Sequence, residues 1–103
     1  MAKLVYYDKE TTSEGDIIEW KIWQVDKSKD FPEGIKYSLV YIHNSIRLLG
    51  YDNEKSKGHH KHYFDKEILF GFENIEKLFI AFELDIEKLR RIIYGKKEDY
   101  NQD

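Results

Sequence analysis

The chain has 103 residues, 41% of them hydrophobic and 36% charged, with a net charge of −3. That length fits one domain with one modest core, and this apolar content excludes a disordered chain. There is no cysteine, which removes disulfides, thiol catalysis and cysteine-based zinc sites, and the acidic balance excludes a globally basic nucleic-acid binder.

The opening MAKLVYYDKE lacks a basic region followed by an apolar run, and no segment is long and apolar enough to span a bilayer, so the expectation is a soluble, cytoplasmic protein without a membrane role. The richness in Lys and Glu with a single Pro resembles hyperthermophile composition, although a Lys/Glu-rich mesophile gives the same picture.

Leu4 to Asp8, with Val and two Tyr, predicts a short strand, and TTSEGD supplies a turn in which Gly15 can take positive φ. Asp16 to Asp26 alternates. Ile18, Trp20 and Ile22 point one way, and Glu19, Lys21, Trp23 and Val25 the other. KSKDFPEG is a loop. Ile35 to His43 is the next strand, with Tyr37, Leu39 and Tyr41 on one face as core residues. Asn44-Ser45 makes a tight hairpin, since Asn tolerates the left-handed conformation, and places His43 beside the tip as a structural residue. Ile46 to Asp52 runs back as a fourth strand. Residues 53–61 carry no apolar side chain and predict a loop, and His62 to Phe70, with poor alternation, predicts a fifth strand.

The period then changes. Ile75, Leu78, Phe79, Phe82, Ile86, Leu89 and Ile93 form one face of a helix, with Asn74 as N-cap and Gly95 as its stop. The expectation is an α+β domain over 1–95, an antiparallel four- to five-stranded meander sheet covered on one face by the C-terminal amphipathic helix, and a polar, frayed tail over 96–103. One helix cannot cover both faces, and Trp23, Val40 and Ile42 on the other face predict a homo-oligomer.

Three of the four histidines stand together as His59, His60 and His62, among Lys55, Lys57 and Lys61. Cleaving RNA through its own 2′-hydroxyl needs a base, an acid and positive charge for the developing phosphorane. Histidine can be acid or base, and lysine can hold phosphate. His60 and His62 share a side if extended, and Asp52 can orient one of them. The expected roles are catalysis for His60, His62 and Asp52, phosphate binding for Lys57, Lys61 and His59, and substrate contact for Tyr51 and Asn53. A metal site would use the same atoms, His60 and His62 with Asp52 or Asp65. Flanking lysines disfavour a cation and no second spaced ligand motif is evident, so no metal and no cofactor are expected. The bland alternative is a solvated basic loop.

Gly34-Ile35-Lys36-Tyr37-Ser38-Leu39, then Tyr51-Asp52-Asn53, then His60-Lys61-His62, then a C-terminal helix, resembles the TumE-like proteins of prokaryotic toxin–antitoxin operons over residues 4 to 90. The resemblance implies a small toxin acting on RNA, with a helix-turn-helix antitoxin as partner and Asp52, His60 and His62 as the matching positions. Family members often carry a basic residue directly before the Tyr-Asp-Asn; here that position is Gly50. The competing expectation is a non-enzymatic, self-associating or partner-binding domain.

Overall fold

The computed structural model describes residues 2–54 and 58–102, and for the helix beyond Gly95 its backbone alone. The chain divides into two compact units, Met1–Phe72 and Glu73–Asp103. The first is a six-stranded antiparallel sheet in sequence order, β1 (Lys3–Thr11), β2 (Ile17–Gln24), β3 (Ile35–His43), β4 (Ile46–Asp52), β5 (His60–Tyr63) and β6 (Lys66–Leu69). The second is the helix α1 (Ile75–Gln102).

Period-2 alternation builds the centre of the sheet. Ile18, Trp20 and Ile22 of β2 pair with Tyr41, Leu39 and Tyr37 of β3, and Leu39 and Tyr41 pair in turn with Tyr51 and Leu49 of β4. All eight are buried and share one face, the burial that holds the sheet together. Trp23, Val40 and Ile42 lie half-buried on the other face. Short connections keep neighbours in sequence adjacent in space. Thr12 closes the first turn, its hydroxyl accepting from Asp16 N–H (3.0 Å) and its own N–H donating to the Asp16 carbonyl (2.8 Å). Asn44 and Ser45 take φ of 51° and 65°, the two-residue hairpin expected from the sequence. β1 is the edge strand. Its nine residues are all exposed, Leu4, Val5, Tyr6 and Tyr7 among them, and a bulge between Leu4 and Tyr6 breaks its register.

The region after β4 corrects the sequence expectation. The loop expected over 53–61 ends at His59, because His60 pairs with Asp52 and starts β5. The single strand foreseen over His62 to Phe70 is two short strands. Phe64, at φ 58°, turns the chain back so that His60 pairs with Leu69 and His62 with Glu67. The poor alternation of this segment reflects that turn. The sheet thus has six strands where four to five were expected.

In α1, Asn74 caps as foreseen. Its Oδ1 accepts from Lys77 N–H (2.8 Å) and its carbonyl from Leu78 N–H (3.0 Å). Leu78, Phe82, Ile86 and Leu89 are buried, the stripe read from the spacing. Gly95 does not stop the helix, which runs on to Gln102. It lacks the positive φ of a C-cap glycine, and a single helical Gly costs only about 1 kcal/mol relative to Ala.

Candidate functional site

Register decides which side chains of the histidine segment meet. His60 stands directly across from Asp52, and His62 from Gly50 on one side and Glu67 on the other. All of these lie on the sheet face opposite the buried tyrosines, because side chains alternate along β4 and β5. His60 has no exposed surface, whereas His62 and Asp52 are half-buried. One side-chain ligand atom from each of Asp52, His60 and His62 lies within 4.8 Å of the other two. The two imidazoles meet edge to face at 5.1 Å. These three side chains therefore converge on one face of the sheet.

His60 is held in one tautomer. Its Nδ1 lies 3.0 Å from the Gly58 carbonyl. A carbonyl only accepts, so Nδ1 carries a hydrogen, and in the neutral form of the ring Nε2 presents its lone pair. That Nε2 is buried and, among the described residues, has no hydrogen-bond partner. Asp52 Oδ1 is 2.8 Å away and Glu67 Oε2 3.9 Å away. The close approach to Asp52 lacks hydrogen-bond alignment. A buried nitrogen lone pair facing two carboxylates is costly to leave uncompensated.

The other residues expected at the site are placed elsewhere. Lys61 and Tyr51 pair with each other on the opposite face, where the lysine Nζ donates to the Tyr51 hydroxyl (3.5 Å) and sits 5.5 Å from that ring. Tyr51 is 3% exposed. Asn53 is buried and ties down the start of β3, accepting from Tyr37 N–H (2.9 Å) and donating to the Ile35 carbonyl (2.9 Å). His59 stacks on Phe72 at 4.6 Å, with Tyr37 at 5.7 Å. Burial first, then the charges of Asp52 and Glu33, push the Tyr37 phenol well above its usual range. It therefore remains a donor, giving its hydrogen to His59 Nδ1 (2.9 Å), while His59 Nε2–H donates to Glu33 (3.2 Å). Both His59 nitrogens are thereby occupied. Lys55 and Lys57 lie outside the described residues.

Two residues near the centre were not singled out from the sequence. Glu67 reaches it from β6, and a strand boundary hidden by poor alternation concealed this. Arg47 is the other. A Cβ on Gly50 would lie 3.3–3.4 Å from the Arg47 Cδ, Nε and Nη1, so the guanidinium arm crosses the strand over Gly50, on the face that carries His62. A cationic group thus covers the position where family members often have a basic residue. The signal was the glycine itself, which leaves room for a neighbour's side chain. Beside Asp52 a groove of about 240 Å³ is lined by Trp23, Lys36, Tyr37, Ser38, Asp52 and Glu54, with the Lys36 ammonium 5.7 Å from the Trp23 ring.

The model of the family described as Toxin TumE matches residues 3–90. No curated protein matches the chain, and no solved structure does. Among the described residues, no helix is long and apolar enough to cross a membrane.

Proposed function

The chain belongs to the Toxin TumE family, and from that premise we propose that it is a toxin that acts on RNA, breaking a phosphodiester at the Asp52–His60–His62 centre. The observation that carries this reading is the convergence of those three side chains within 4.8 Å on one sheet face. The surroundings suit a polynucleotide. Trp23 offers a ring for base stacking, and Lys36 and Arg47 offer charge for phosphate. In the reaction the 2′-hydroxyl loses its proton as its oxygen bonds to phosphorus, and the departing 5′-oxygen gains one. Acting alone, the histidines supply an acid–base pair for these transfers, with the half-buried His62 nearer the substrate, the Gly58 carbonyl orienting His60 and Asp52 beside it. An antitoxin of the helix-turn-helix kind is the partner class that this reading implies.

Incubation of untagged protein with mixed cellular RNA tests it. Wild-type protein cleaves, His62→Ala and Asp52→Ala do not, and binding weakens as salt rises. Wild-type protein that neither retains nor cuts RNA at low salt contradicts the reading.

The second reading is a self-associating, non-enzymatic domain. It is favoured by the edge strand β1, whose nine residues are all exposed. Light scattering separates the two: a mass near 12.5 kDa at high concentration argues against self-association.

A further inference from the structure

We infer that Asp52, His60 and His62 form a binding site for one divalent transition-metal ion, with Glu67 as the fourth donor. The inference begins with a fault in the protein considered alone. His60 has no exposed surface, and its Nε2 has no hydrogen-bond partner among the described residues. The bond from Nδ1–H to the Gly58 carbonyl fixes that ring so that Nε2, which carries a lone pair in the neutral imidazole, faces Asp52 Oδ1 at 2.8 Å and Glu67 Oε2 at 3.9 Å. Lone pairs on nitrogen and on two carboxylates repel one another. A cation placed among them turns the repulsion into coordination.

The supporting hydrogen bond is the one such a ligand needs. A metal-bound histidine donates its other N–H to a carbonyl or carboxylate, which fixes ring and tautomer. The distances suit one ion. With bonds of about 2.0–2.2 Å, adjacent ligand atoms lie about 3.3 Å apart and none beyond about 4.2 Å. The Asp52–His60 contact, at 2.8 Å, is tighter than that spacing, and the three atoms, all within 4.8 Å of one another, reach it with small side-chain rotations. The scaffold is rigid. Strand β4 supplies Asp52, β5 supplies both histidines two residues apart on one face, and β6 supplies Glu67 opposite His62. Two imidazoles and carboxylate oxygens suit zinc, manganese, iron(II) or nickel rather than calcium or magnesium, which prefer oxygen alone.

Loaded, the centre no longer uses its histidines as acid and base, because their nitrogens are occupied by the ion. A bound ion polarises a phosphate oxygen or lowers the pKa of a bound water. That catalytic role rests on the RNA reading above, whereas ion binding rests on the geometry alone.

The test is calorimetric titration of Zn2+ and Mn2+ into untagged, chelator-stripped protein, with thermal melts in parallel. Wild-type protein takes up one ion per chain, and its Tm rises with ion concentration. Asp52→Ala and His62→Ala weaken uptake at least about tenfold, as does His60→Ala where it folds. His43→Ala, elsewhere in the sheet, binds as wild type. No heat and no Tm shift with either ion, or uptake indifferent to Asp52→Ala and His62→Ala, overturns the site. RNA cleavage is measured on the same stripped and reloaded samples. Uptake without cleavage under any condition leaves the metal site standing and sinks the RNA reading. Cleavage by stripped protein in chelator, with no uptake, does the reverse.

Discussion

Two histidine–aspartate pairs lie among the described residues, built from the same residue types and finished differently. In the first, Asp16 is 1% exposed and accepts from the Tyr41 hydroxyl (2.6 Å) and the His43 ring (2.7 Å). The other nitrogen of His43 accepts from the Asn44 amide (3.3 Å). Both ring nitrogens and both carboxylate oxygens have partners, so nothing is left over for chemistry. In the second, Asp52 approaches His60 as closely, at 2.8 Å, yet His60 Nε2 has no hydrogen-bond partner among the described residues. The difference teaches how to sort polar clusters in a small sheet protein. A satisfied network contributes stability, and an unsatisfied buried atom marks a place held ready for something else.

Substitutions sharpen that contrast, beginning with Asp16→Ala. It strips two donors of their acceptor in a buried setting and is expected to cost about 3–5 kcal/mol, read by denaturant unfolding. Asp52→Ala should cost less than about 1 kcal/mol, because Asp52 is half-buried and makes no aligned hydrogen bond to His60. Equal losses for the two would erase the distinction.

Tyr41→Phe comes next. It deletes one of the two bonds to Asp16 and is expected to lower stability by about 1–2 kcal/mol, leaving RNA cleavage unchanged when both proteins are assayed well below their Tm. Smaller still is His60→Leu. It replaces an unsatisfied buried atom with an apolar group, and the exposed Gly58 carbonyl can turn to water. Stability should be unchanged or raised by up to about 1 kcal/mol while cleavage and ion uptake are lost. A loss of 3 kcal/mol or more would place His60 with the structural pair.

The smallest effect is one of pH. The Tyr37 phenol is held above its unfolded value by burial, then by Asp52 and Glu33. A raised folded pKa contributes stability that is fully present below the unfolded pKa of about 10 and is lost as pH rises above it. Unfolding followed from pH 8 upward should show stability declining above about pH 10, and the decline should shrink in Tyr37→Phe. An undiminished slope in that variant would remove Tyr37 as the cause.

The Asp52–His60 pair was more legible in the sequence than the Asp16–His43 pair. His60 and His62 are two apart, and strand alternation alone puts them on one face. Asp52 ends the preceding strand, so a hairpin brings it across. Lys61 lies between the histidines, and the same alternation sends it to the opposite face, which made it a poor companion for them. Asp16 and His43 are 27 residues apart, and no local pattern marks their meeting, since it depends on the register of β2 against β3. Arg47 was hidden for a related reason. The irregular register between Tyr41 and Ile42 lies beside it, and Gly50 reveals the arm that crosses it only in three dimensions. The α+β class and the helix stripe followed from period. The sixth strand did not, because a Phe at positive φ gives no turn signal.

The measurement that bears most directly on the contrast is RNA cleavage by Asp52→Ala and His43→Ala side by side with wild type, at a temperature where all three are folded by circular dichroism. The account predicts that His43→Ala cuts mixed cellular RNA at the wild-type rate while Asp52→Ala cuts at less than about a hundredth of it. Full activity in Asp52→Ala, or its loss in His43→Ala alone, would contradict the assignment of the open pair as the working one.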